Sequence, residues 1–198
     1  MAKWAVHFLE GIGIRKADLL GFSLGGMVAA QVALDRPDLV RRLILAGTGP
    51  GAGDGIVAGD PEVFPIALKP DGGAETLVYL FFEKTAGSSA EGWKYMERLQ
   101  WRKEDRTPQV EAKSYQAMAE ALYKVTSGQD SLYPRLGEIQ QPVLVANGSN
   151  DIMIPTINSF VMAQRLPNAQ LMIYPDSGHG FLFQYAELFS EHLSLFLR

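Results

Sequence analysis

The sequence predicts an α/β fold: a mostly parallel sheet of about four strands flanked by helices, with a helical insertion in its middle. Three observations carry this. Strand-length apolar runs at 17–22, 40–46, 141–148 and 170–174 alternate with helical segments over short connections, the pattern of parallel strands joined by crossover helices. The first run leads into Gly21-Phe22-Ser23-Leu24-Gly25-Gly26 and then a small-residue helix. Between the second and third runs, residues 51–135 show no strand pair and hold their apolar residues in helix-like stretches. The chain divides accordingly into a first core part at 1–50, an inserted helical cap at 51–135 and a second core part at 136–198.

Taken in order, Met1, Trp4, Ala5, Phe8 and Leu9 fall at helical spacing on one expected buried face, with His7 beside it, and Gly11 and Gly13 close the helix. The strand Ala17 to Phe22 follows. The run Met27 to Leu34 reads as a helix, stopped by Arg36-Pro37-Asp38, and Val40 to Ala46 as a buried strand. In the insertion, three helices are expected at 75–83, 91–102 and 110–125, rich in aromatic residues. Most of those aromatics are expected to pack the insertion's own core, and a minority to face a pocket. The sheet resumes at Gln141 to Gly148, a helix spans 156–166, a strand covers Gln170 to Tyr174, and one last helix is expected over 183–197.

Composition narrows the function. The 198 residues are 47% hydrophobic and 20% charged, an ordinary globular balance, and the net charge of −4 offers no basic footprint for nucleic acid or an anionic membrane. Cysteine is absent, which excludes disulfides, thiolate metal sites and thiol nucleophiles, and agrees with an expected cytoplasmic location. The three histidines, His7, His179 and His192, are scattered, so neither a metal nor a cofactor is expected. The amino-terminal residues lack the apolar core of a signal peptide, and no apolar segment approaches bilayer length.

The Gly-x-Ser-x-Gly run carries the chemistry. A turn tight enough to present Ser23 at a strand end leaves little room for β-carbons, which Gly21 and Gly25 are expected to relieve. The helix that follows points free N–H groups and its positive dipole end at the reacting centre, and Leu24 supplies the nearest N–H for an oxyanion. Asp151 and His179 also stand just beyond predicted strand ends, where an open α/β sheet builds its site. Asp151 suits a helix cap as well as a catalytic acid, and Asp176 is a rival acid three residues before His179. Gly178 and Gly180 are expected to leave His179 on a flexible loop that reaches the serine.

With GFSLGG at the elbow, NGSNDIMIP around the acid and SGHGFLFQ around the base, the chain resembles the α/β-hydrolase superfamily over nearly its whole length. It is most similar to the small cofactor-free esterases, lactonases, carbon–carbon bond hydrolases and perhydrolases. The resemblance implies a Ser23–His179–Asp151 triad acting on a small acyl substrate through an acyl-enzyme. The family also places several strands and an oxyanion-forming HG-type loop upstream of the elbow, whereas here one helix precedes it. The expectation is therefore a partial α/β-hydrolase fold, with a weakened oxyanion hole and strand 17–22 at a sheet edge. That edge is expected to pair with a second copy of the chain or a complementing fragment. A non-catalytic scaffold serving binding or assembly, and perhydrolase chemistry, stand as alternatives.

Overall fold

The computed structural model describes residues 1–67, 72–106, 108 and 110–198, with the side chain of Phe64 outside the description. Its centre is a parallel sheet of four strands in the order β1-β2-β3-β4: β1 Ala17–Phe22, β2 Val40–Ala46, β3 Val143–Gly148 and β4 Ala169–Tyr174. Sequence order and spatial order coincide, so every crossover steps to the adjacent position. β1 lies at one edge, as its place in the sequence predicts, with Leu20 exposed there.

Helices cover both faces because the two buried strands carry apolar side chains in both directions. Leu43, Leu45, Val143 and Val145 point to one core, shared with α1 Ala2–Gly11, α2 Leu24–Asp35 and α7 Ile157–Arg165. Ile44, Ala46, Leu144 and Ala146 alternate to the other, filled by Tyr174 with Phe181 of α8 Phe181–Gln184 and Phe189 of α9 Ala186–Phe196. Between β2 and β3 stand α3 Val63–Ala67, α4 Ala74–Phe81, α5 Ala86–Arg98 and α6 Ala112–Thr126, followed by a 3-10 turn at Tyr133–Glu138.

Three expectations are corrected. The inward face of α1 is Ala2, Ala5, Val6 and Leu9, while Met1, Trp4 and Phe8 are exposed. The reason is the partner: α1 packs on α2, whose buried Ala29, Ala30 and Ala33 form a flat small-residue surface that the small side chains Ala2, Ala5 and Val6 match, whereas a tryptophan there would hold the helices apart. The single expected last helix is two, broken at Tyr185, whose hydroxyl donates to the Pro175 carbonyl at 2.8 Å and whose ring lies beside Tyr174. The aromatics of the insertion are less internal than expected, since Trp93, Trp101, Tyr115 and Tyr123 are all exposed.

Candidate active site

Ser23 is the N-cap of α2, one residue past the end of β1. Its backbone sits at φ 54° and ψ −125°, a conformation that L residues avoid and that costs about 1–3 kcal/mol. Its N–H donates to the Ala46 carbonyl at 3.0 Å, tying the turn to the end of β2. The glycines divide the steric work differently from the expectation. A β-carbon on Gly21 would come within 2.3 Å of the Gly25 carbonyl oxygen, so strand and helix start touch at that point. One on Gly25 would meet open space, whereas one on Gly26 would come within 2.5 Å of the Thr48 side chain. The crowded positions are therefore 21 and 26.

Asp151 and His179 meet. His179 Nδ1 and Asp151 Oδ2 are 2.8 Å apart, with 1% and 0% of their side chains exposed. The loops that carry them are held together by close backbone packing. A β-carbon on Gly148, at the end of β3, would lie 2.2 Å from the Gly178 carbonyl oxygen, and the N–H of Asn150 donates to the Ser177 carbonyl at 3.0 Å. The buried Asn147 amide braces the same region, donating to the Ile154 carbonyl and to Ser159 of α7.

The second Asp151 oxygen accepts from the N–H groups of Met153 and Ile154, both at 2.9 Å. One carboxylate thus closes its own loop and holds the imidazole, while the N-cap position of α7 belongs to Thr156. The rival Asp176 accepts a hydrogen bond from Thr85 at 2.7 Å, at the start of α5. His192 is engaged elsewhere, 2.6 Å from the Tyr174 hydroxyl, and His7 lies on the exposed side of α1 against Trp4.

Aromatic rings enclose the imidazole of His179. Phe22 lies 4.7 Å away and Phe81, at the end of α4, stands edge-on at 5.3 Å, both centroid to centroid. The loop around His179 packs against the end of α4: Gly180 N–H donates to the Phe81 carbonyl at 2.6 Å, and a β-carbon on Gly178 or Gly180 would press on Phe81 at about 3 Å. These glycines make room for α4. No hydrogen bond joins the Ser23 hydroxyl to His179; the two are linked through Phe22, which precedes the serine and packs on the imidazole. Beside this cluster a cavity of about 110 Å³ opens between Tyr79, Phe82 and Lys84 on one side and Asn150, Ile152 and Gly178 on the other. Among the described residues no three His, Asp or Glu side chains gather as a metal ion requires.

Comparison with known proteins supplies the relationship. The family model described as alpha/beta hydrolase fold matches residues 1–185. The chain belongs to the α/β-hydrolase family. It is 31% identical to the poly(3-hydroxyalkanoate) depolymerase of Ectopseudomonas oleovorans, over 100% of this chain and 66% of that protein. It is 29% identical to the 2-hydroxy-6-oxo-6-phenylhexa-2,4-dienoate hydrolase of Burkholderia cepacia, over 92% and 63%. The chain thus spans just under two thirds of the length of these relatives. Among solved structures, an α/β hydrolase fold protein from Chitinophaga pinensis superposes with a TM-score of 0.88 at 33% identity, over 99% of this chain and 70% of that one.

The sequence offered Ser23, Leu24, Asp151 and His179 as candidates, and of these the structure brings Asp151 and His179 into direct contact. The sequence did not point to Phe81, Thr48 or Asn147, which pack around them. Phe81 and Thr48 reach His179 and Ser23 through contacts distant in the chain, whereas Asn147 bonds within its own stretch, to Ile154 and Ser159. Only the aromatic richness of the insertion hinted at the first.

Proposed function

We propose that the chain carries the catalytic machinery of a serine hydrolase acting on an ester, lactone or related acyl bond. The observation that carries the reading is the buried pair of His179 Nδ1 and Asp151 Oδ2 at 2.8 Å, at strand ends beside a serine in a strained elbow. In this reading Ser23 Oγ attacks the acyl carbon while His179 Nε2 takes its proton. The Leu24 N–H stabilises the oxyanion, the leaving group departs with the proton from His179, and water then cleaves the acyl-enzyme by the same path in reverse. Asp151 holds the imidazole with its proton on Nδ1 and stabilises the imidazolium. The missing direct bond between serine and histidine agrees with this, because catalytic hydrogen bonds in free enzymes are often long and tighten when substrate binds.

The segment 51–135 serves as a cap, with α4 setting Phe81 over the histidine and the cavity at Tyr79 and Phe82 beside it. The names of the relatives, a polyester depolymerase among them, support an acyl or related carbonyl substrate. Hydrolysis of a short nitrophenyl ester that disappears in Ser23→Ala tests the reading. The near-complete burial of His179 under Phe22 and Phe81 favours a second reading, a hydrolase scaffold serving binding or assembly. Ester hydrolysis by the parent protein no faster than in buffer alone, and unchanged in Ser23→Ala, would support that one.

A further inference from the structure

We infer that Thr48 is a positioning residue that aims the Leu24 N–H at the developing oxyanion. The inference rests on the serine-hydrolase reading and extends it to a residue outside the triad. Thr48 follows β2, and its buried hydroxyl donates to the Ser23 carbonyl at 2.7 Å. The Gly26 N–H donates to the same oxygen at 2.9 Å. That carbonyl and the Leu24 N–H belong to one planar trans peptide, so they point in opposite directions, and fixing one fixes the other.

The need for a second tether follows from the strain. Ser23 is held at φ 54° and ψ −125°, and the peptide plane after it can relax by rotation about ψ. The Gly26 bond is local to the turn and moves with it, whereas Thr48 is anchored to the end of the neighbouring strand. Gly26 completes the device, since a β-carbon there would strike the Thr48 methyl carbon at 2.5 Å and push the hydroxyl off its acceptor. The second glycine after Leu24 is thus explained by a residue 22 positions along the chain.

The test compares Thr48→Val, which keeps the shape and removes the hydroxyl, with Thr48→Ser, which keeps the hydroxyl and removes the methyl. A nitrophenyl ester is the substrate, and thermal unfolding is recorded for each protein. Thr48→Val lowers kcat on the order of 10- to 100-fold with KM within about twofold, because a misaimed donor fails the transition state and not the ground state. Thr48→Ser restores kcat despite a lower unfolding midpoint. If Thr48→Val does not fold, Thr48→Ala replaces it, and equal kcat values for Thr48→Ala and Thr48→Ser overturn the inference, as does a parent-like kcat for Thr48→Val. Ser23→Ala separates the two levels. If that variant is inactive while Thr48→Val keeps full kcat, only the role of Thr48 fails; if Ser23→Ala keeps parent activity, the serine-hydrolase reading fails and takes this inference with it.

Discussion

His179 Nδ1 lies 2.8 Å from Asp151 Oδ2, and the other oxygen of the same carboxylate closes the loop through the N–H groups of Met153 and Ile154. This division of labour makes Asp151→Asn a clean probe. The asparagine carbonyl can still accept from both N–H groups, so the loop survives, but its amide faces Nδ1 and favours the wrong histidine tautomer. Turnover of an ester is expected to fall on the order of 10⁴-fold with a small change in unfolding midpoint. An Asp151→Asn protein that hydrolyses the ester at the parent rate would remove Asp151 from the mechanism.

The glycines of the elbow give an ordered prediction about stability. Gly26→Ala forces a β-carbon against Thr48 and is expected to cost about 1–3 kcal/mol. Gly25→Ala enters open space in the first turn of α2 and is expected to be neutral or to stabilise by about 0.4–1 kcal/mol, through the lower entropy of the unfolded chain. Urea unfolding of both variants checks the order, and a Gly25→Ala that destabilises more than Gly26→Ala would contradict the assignment of the crowded positions.

Much of the framework was legible because it is written in local patterns. The four strands could be read from apolar runs, and their parallel pairing from the helices between them. The Ser23 elbow could be read from glycine spacing, and Asp151 and His179 from their places after strands. What was hidden depends on which surfaces meet. The apolar stripe of α1 offered Trp4 and Phe8 as core residues, but the alanine-rich surface of α2 accepts only Ala2, Ala5, Val6 and Leu9. The glycine that the turn requires beside Gly21 is Gly26 rather than Gly25, because Thr48 lies across from it. Phe81 reaches His179 across nearly a hundred residues of chain, and no local spacing encodes that approach.

Tyr174 gives a pH-dependent prediction. Burial pushes its phenol up to about 12, and its hydroxyl shares a hydrogen bond with His192. A folded-state value raised above the ordinary 10 means that the native protein holds this proton more tightly than the unfolded chain. The stability it contributes is fully present below pH 10 and is lost as pH rises towards 12. Unfolding midpoints should fall more steeply over this window in the parent protein than in Tyr174→Phe. Parallel curves for the two would contradict the shift.

Among the described residues β1 is an edge strand with no strand beyond it and with Leu20 exposed, and we propose that it pairs with a strand of another chain. Light scattering at micromolar concentration is expected to show a species heavier than one chain, and Leu20→Lys should reduce its population. A strictly monomeric protein would remove the need for a covering strand.

The central claim is that Ser23 is a nucleophile activated by His179. Its most direct test is labelling with a fluorophosphonate, with the modified residue located by mass spectrometry. The account predicts one adduct, on Ser23, whose formation slows by orders of magnitude in His179→Ala. Folded protein that takes up no label, or an adduct on another serine that persists in Ser23→Ala, would contradict it.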